Sequence, residues 1–365
     1  MVLKIDESKI EALAIGGLIL GGGGGGGMDH GIENAQSSLA DGRRPKVIAV
    51  EDLTENATVL TISAVGAPSA TEQYVVVENY VEIVELLEKN YGLKVDALIT
   101  NEMGGSSSFN AFIPSALKGI PMVDASCNGR AHPLGTMGAM GLAETPGYVT
   151  QQSAVGGDPA TNKAIQLVTQ GSVNATSTLV RKAAVEAGGL VVVARNPVSK
   201  EFILKNAALN TLTQSYEVGN AFLQGTTPLE KVENAANYLG GTVVCQGKVQ
   251  DFELTISGGL DVGICTVQDQ EDDYVLYIWN EYMALDKNGE RASTFPDLLM
   301  SFDQATGLPI TTAELKAEQE IFVLQVPYQK LALGAGMYEA SGYERIEQTL
   351  GIEILPYIQD VIKKA

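Results

Sequence analysis

Apolar positions recur along this chain with two periods, and the period changes near residue 241. Near the N-terminus, Ile10, Leu13, Ala14, Gly17 and Leu18 share one face at helical spacing. Asp6 stands where a helix cap is needed, although Lys9 three places on denies it a capping box. This predicts a helix over "ESKIEALAIGGLIL" that runs straight into seven glycines, Gly21 to Gly27. The β-branched runs "PKVIAV" and "ATVLTISAVGAP" predict strands. "EQYVVVENYVEIVELLEKNYG" predicts a helix with Glu72 in its first turn, a stripe of Val76, Tyr80, Ile83, Val84 and Leu87, and a stop at Gly92. "KVDALIT" reads as a buried strand ending at "NEMGG", "FIPSALKGIP" as a short helix, and "MVDA" as the next strand. Strands alternating with helices predict an α/β layer with a largely parallel sheet, whose ligand crevice lies beyond the carboxyl ends of the strands.

The middle of the chain is more helical. "STLVRKAAVEAGG" predicts a helix, "LVVVAR" a strand, and "PLEKVENAANYLGG" a helix with a glycine stop. From Gly241 the period shortens to two, through "GTVVCQGKVQDFELTISGGLDVGICTVQ", "DYVLYIWNEYMAL" and "EIFVLQVPY". Closely spaced strands of this kind predict a small barrel or sandwich. The closing segment "YERIEQTLGIEILPYIQDVIKK" is read as free to return to the first domain. The resulting division is an α/β domain over 1–170, carrying the glycine run and the expected site, and a second domain over 171–365. The second begins with a helical connector and holds a β-rich, barrel-like region at about 241–330.

Composition narrows the partners. A chain of 365 residues, 45% hydrophobic and 19% charged, is expected to fold around two cores. Its net charge of −20 is spread over both halves. This argues against nucleic acid and anionic membranes, and an anionic small substrate would need a local positive site against that field. Three cysteines imply a reducing compartment without a disulfide framework. No leader pattern and no run of about 18–20 apolar residues is present, so a cytoplasmic protein is expected.

Four segments carry candidate chemistry. The glycine run contains GxGxxG trivially, but a helix precedes it and no Lys-Ser/Thr follows, so no nucleotide is expected. What remains is a slack loop or a nest of N–H groups facing an anion or oxyanion. "SAVGAPSATEQ" places Glu72 either at the crevice or in an ordinary strand–turn–helix. "LITNEMGGSSSFN" ends a strand with Glu102, which points into a crevice unless the segment is only a helix-capping loop. "GIPMVDASCNGRAHP" is the richest, with Asp124, Cys127, Asn128, Gly129, Arg130 and His132. Arg130 is either the anion clamp or a solvated surface arginine. Glu102 or Asp124 is the candidate general base. A Cys127–His132 hydrolase and a metal ion bound by His30, His132, Asp124 and Glu102 both stay open, although the spacing matches no standard zinc pattern.

Taken in order, "ILGGGGGGG", "VGAPSATE", "NEMGG", "GIPMVDASCNGRAHP", "GKVQ", "WNEYMAL" and "PDLLMSFDQATGLPITTAEL" resemble the S-methyl thiohydantoin desulfurase domain family. Some relatives sit beside hydantoinase/oxoprolinase-type enzymes. The resemblance implies water addition at the C=N carbon of a hydantoin-like ring with release of a thiol. It implies Glu102, Asp124 and Arg130 as catalytic residues. Gly23, Gly24, Gly25, Gly26, Glu72, Gly104, Gly105, Gly129 and His132 are then substrate contacts. Three positions depart from the family pattern: Ser126 where an aspartate is frequent, His132 where an aromatic is frequent, and Ser107 where an asparagine is frequent. The missing aspartate bears on any mechanism that needs paired carboxylates. The competing reading is a non-catalytic partner subunit of a hydantoinase/oxoprolinase-type enzyme, and a plain small-ligand binder is a third. Expected partners are a small-molecule substrate, that enzyme and further copies of the chain, with no nucleic acid or membrane. A bound metal ion is left open.

Overall fold

Residues 3–362 are described in the computed structural model, which contains two eight-stranded sheets. The first part runs α1 (Glu7–Gly21), α2 (Met28–Leu39), β1 (Val47–Ile48), β2 (Thr58–Gly66), α3 (Val77–Tyr91), β3 (Ala97–Glu102), α4 (Phe112–Lys118) and β4 (Met122–Asn128). It continues through β5 (Thr150–Gly156), β6 (Ile165–Gly171), α5 (Val173–Glu186), β7 (Leu190–Ser199), α6 (Lys200–Asn206), β8 (Ala208–Leu209), α7 (Thr211–Leu223) and α8 (Pro228–Leu239). Asp6 caps α1 by accepting from the Ser8 N–H at 3.1 Å. The helix is buried on every side from Ala12 to Gly21, not on one stripe. Apolar residues all round make it a core helix. It crosses α7 so closely that a Cβ on Gly16 would lie 1.7 Å from the Ser215 carbonyl oxygen, and one on Gly219 1.8 Å from that of Ala12.

The first sheet has the order β1-β4-β3-β2-β7-β5-β6, with β8 beside β4. The β1–β4, β4–β3 and β3–β2 pairs are parallel. The β2–β7, β7–β5, β5–β6 and β4–β8 pairs are antiparallel. The α/β layer is therefore mixed. The parallel part is built by the alternating segments of the first 128 residues, and β7 then enters antiparallel and carries the β5–β6 hairpin. That hairpin has polar residues on much of its length ("TQQSAVG", "IQLVTQG"), so its strands have little hydrophobic signature. The sheet takes strands from both sides of residue 171. The third helix starts only at Val77, because the preceding valines run extended, and Glu72 falls outside it. Tyr80, Ile83, Val84 and Leu87 form its buried face, and Gly92 ends it at φ 64°.

The second sheet comprises β9 (Thr242–Ser257), β10 (Leu260–Asp269), β11 (Asp272–Trp279), β12 (Glu281–Lys287), β13 (Glu290–Thr294), β14 (Leu298–Asp303), β15 (Pro309–Ile310) and β16 (Glu320–Val326). Its order is β13-β12-β11-β10-β9-β16-β14-β15, antiparallel throughout. Strands β13 and β15 stand at opposite edges, so the sheet does not close into a barrel. The chain finishes with α9 (Ala340–Leu350) and α10 (Gln359–Ile362). Tyr343 and Ile346 pack with Trp279 of the second sheet and with Leu134 and Met137 from the loop after β4. The closing segment thus touches the second sheet and the loop after β4 of the first part, and its last residues, 363–365, lie outside the described ones. No helix among the described residues is long and apolar enough to cross a membrane.

Candidate functional site

A cavity of about 280 Å³ opens between the two parts of the chain. Its floor is the carboxyl end of the parallel strands: Ala64, Val65 and Gly66 of β2, and Asn101 and Glu102 of β3. This is where an open α/β sheet places a ligand crevice. The wall is completed by Gly25–Gly27, by Ser106 and Ser107, by His132 and Pro133, by Arg181 and Arg195, and by Asn280 and Glu281 from the second sheet.

The glycine run is an ordered turn joining α1 to α2. Gly22, Gly23, Gly25 and Gly26 have φ of 61°, 95°, 75° and 77°, which a side chain would strain. Its carbonyls are taken by the protein: Tyr282 donates to Gly22, Thr312 to Gly23, and both Ser106 and Ser107 to Gly25. Close packing explains the missing side chains. A Cβ on Gly24 would lie 2.1 Å from Glu281 Oε1, and one on Gly25 2.7 Å from Gly104 Cα. So the glycines let two backbones and a carboxylate approach, and the run is not a slack loop. The N–H groups of Gly25, Gly26 and Gly27 have no acceptor among the described residues. Gly27 is the N-cap of α2 and offers no capping side chain. The open N-terminus of α2 therefore adjoins the cavity with unpaired donors and the positive end of its dipole.

Glu102 is 8% exposed, and burial pushes its carboxyl up to about 7, with the Arg195 charge opposing the shift. His132 Nε2 stands 3.3 Å from Glu102 Oε2. Burial and the charges of Arg195 and Arg130 push this imidazole down to about 3, so it stays neutral and the contact is not an ion pair. A Cβ on Gly138 would overlap the imidazole at 2.4 Å, which makes that glycine part of its seat.

Several cavity residues escaped the sequence reading. Arg195 lies on β7, is 3% exposed and has no hydrogen-bond or ion-pair partner among the described residues. Arg181 on α5 is half-buried and equally unpaired. Burial lowers both guanidinium groups. Two unpaired arginines facing one cavity in a chain of net charge −20 form the local positive site that an anionic ligand requires. The signal for Arg195 was present, as a charged residue closing the apolar run "LVVVAR". Glu281 sits between Asn280 and Tyr282 in "WNEYMAL", a segment that carried the family resemblance but from which no candidate site residue was taken.

Other expected site residues lie elsewhere. Asp124 Oδ1 accepts from the Leu212 and Thr213 N–H groups at 3.0 and 3.2 Å, and Oδ2 accepts from the Thr213 hydroxyl. It caps α7 and does not line the cavity. Arg130 is fully buried and donates through Nη1 to the Pro296 and Asp297 carbonyls, with its guanidinium 4.4 Å from the Phe295 ring centroid. It fastens the two parts of the chain beneath the glycine turn, and so is not the clamp in the cavity. Glu72 is exposed and paired with Lys163 at 2.6 Å, outside the cavity. Gly129 packs on Ala332, where a Cβ would lie 2.1 Å from the carbonyl oxygen. Gly104 and Gly105 support the glycine turn from below, and Gly23 and Gly24 join it to the second sheet. Cys127 is buried beside Thr61, its thiol pushed up to about 11 by desolvation, and forms no pair with His132. Among the described residues, no group of three or more His, Cys, Asp or Glu is arranged to hold a metal ion.

Similarities to known proteins agree with this architecture. A crystal structure of a protein from Chromobacterium violaceum superposes with a TM-score of 0.74 over 96% of each chain at 17% identity, a likeness of fold. No curated protein matches the sequence. The model of the S-Me-THD-like N-terminal domain matches residues 8–157, and that of the C-terminal domain matches residues 172–339. With both domains matched in order over most of its length, the chain belongs to the S-Me-THD-like family.

Proposed function

We propose that the protein is a hydrolase acting on a hydantoin-like five-membered ring, and that S-methyl thiohydantoin is its substrate type, the exocyclic C–S bond being broken with release of methanethiol and the ring kept. The observation that carries this is Glu102, a cavity carboxyl with its pKa raised to about 7, set against unpaired positive groups. A base acts best when its pKa lies near the working pH. In its ionised form Glu102 takes a proton from water as that water adds to the ring carbon bearing sulfur. The free N–H groups of Gly25–Gly27 and the guanidinium groups of Arg195 and Arg181 hold the negative charge of the substrate or intermediate. A cavity of about 280 Å³ suits a single small ring. The family name is consistent with the same chemistry.

The test is thiol release from S-methyl thiohydantoins by the purified chain and by E102Q. The variant keeps shape and loses the base, so its rate falls by ~10²–10⁴. The wild-type rate rises with pH through about 7 as the carboxyl ionises. An E102Q variant with wild-type turnover would refute the assignment.

A further inference from the structure

We propose that Glu281 is the proton donor of this site, giving its proton to the ring nitrogen while Glu102 takes one from water. This rests on the hydrolase reading above and assigns the second half of its proton chemistry to the second sheet. Glu281 opens β12, is 1% exposed and lines the cavity together with Glu102. Its Oε2 has no hydrogen-bond partner. It forms no ion pair among the described residues. Arg130, whose charge acts on it, spends Nε and Nη1 on the carbonyls of Ala131, Pro296 and Asp297, and its Nη2 makes no hydrogen bond to Glu281 or to any other group among the described residues. A buried carboxylate left in that state is costly, whereas a neutral carboxylic acid is tolerated and can donate. The groups facing it agree. Burial and the charges of Glu102 and Asp261 raise its pKa well above the ordinary value, against the opposing pull of Arg130. The glycine turn is built around this side chain, since a Cβ on Gly24 would lie only 2.1 Å from its Oε1.

The protons balance. Water forms a C–O bond at the carbon bearing the methylthio group and gives a proton to Glu102. The C=N electron pair moves to nitrogen, which takes the proton of Glu281. On collapse, the new hydroxyl returns its proton to Glu281 as C=O forms. The C–S bond breaks, and the thiolate leaves with the proton held by Glu102. One water enters, one thiol leaves, and both carboxyls return to their starting states. A donor held neutral by its site beside a base that ionises near neutrality is an established way to divide acid and base roles.

The experiment compares the full chain with E281Q and E281D in thiol release across pH, with a thermal melt as fold control. For E281Q a kcat lower by ~10²–10⁴, KM changed less than kcat, and loss of the alkaline limb of the rate profile are expected. E281D keeps that limb and part of the rate. Difference infrared spectra at neutral pH, wild type minus variant, supply a readout without substrate. The E281Q difference contains the carbonyl stretch of one protonated carboxyl, and the E281D difference contains that band and a shifted counterpart. Wild-type turnover in E281Q, an unchanged alkaline limb, or no infrared difference overturns the proposal. A wild-type chain that releases no thiol from any S-methyl thiohydantoin removes the hydrolase reading. The infrared comparison then still decides whether Glu281 holds the proton.

Discussion

Replacing Asp124 separates a structural carboxylate from a catalytic one. Its two oxygens accept from three donors at the start of α7: two backbone N–H groups and the Thr213 hydroxyl. D124A leaves all three without a partner, and Leu212 is fully buried, so water does not replace the lost bonds there. Loss of an N-cap costs ~0.5–2 kcal/mol, and each buried unsatisfied donor adds ~1–3 kcal/mol. Partial overlap of these terms suggests a total of about 2–3 kcal/mol for alanine. Asparagine caps nearly as well as aspartate but loses the charge at the helix N-terminus, so D124N costs about 1 kcal/mol or less. The damage is local, because α7 is the helix against which the buried α1 packs. Amide exchange by NMR or mass spectrometry reads it directly. A loss of about 2 kcal/mol in local opening makes the first-turn amides of α7 exchange ~30-fold faster in D124A. Thiol release per folded molecule stays within a few-fold of wild type. If D124A abolishes turnover while α7 exchanges as before, Asp124 acts on substrate and the capping account is wrong.

Two further outcomes follow from the charges of the cavity. R195A weakens a thiohydantoin carrying a carboxylate side arm by ~30-fold or more, the usual effect of removing one partner of a buried charged contact, and R195K restores only part because it lacks the planar fork. Calorimetry with the carboxylate and its neutral amide checks this, and equal losses for both would exclude an anion site at Arg195. Glu102 also makes stability depend on pH. Its carboxyl titrates at an ordinary 4.5 when unfolded and at about 7 in the fold. Between these values the unfolded chain has released the proton and the fold still holds it. The contribution is therefore complete below about 4.5 and is lost as pH rises through about 7, by up to ~3 kcal/mol. Denaturant unfolding of wild type and E102Q over that window shows a steeper decline for wild type, and identical slopes would mean that Glu102 is not perturbed.

Local pattern reached far in the first part of the chain. Asp6 as a cap, the buried face of α3 with its glycine stop, and the β3 strand ending at Glu102 are each set by residues within one element. Periodicity and capping act over three or four positions, and one sequence displays them. The change to closely spaced strands after Gly241 was equally legible, because alternation is a local property, whereas the open rather than closed form of their sheet was not. The mixed character of the first sheet was not. Whether β7 enters parallel or antiparallel is decided by which edge it meets, and that neighbour, β2, lies more than a hundred residues away.

By itself the sequence determined which residues were available: an acidic chain, a glycine turn after an apolar helix, and Glu102 at the carboxyl end of a buried strand. Only the tertiary structure decided which charged groups go without partners, and the candidate chemistry rests on that distinction. Asp124 and Arg130 share the motif-rich segment after β3, but the fold surrounds them with the α7 N-terminus and with backbone carbonyls, so the Asp124 carboxylate and the Nε and Nη1 groups of Arg130 are engaged away from the cavity. Arg195 and Glu281 stand in ordinary-looking strands and meet in one cavity with those bonds unmade. The reason is physical: a side chain's charge is written in the sequence, but its desolvation and its partners are contributed by segments far apart in the chain.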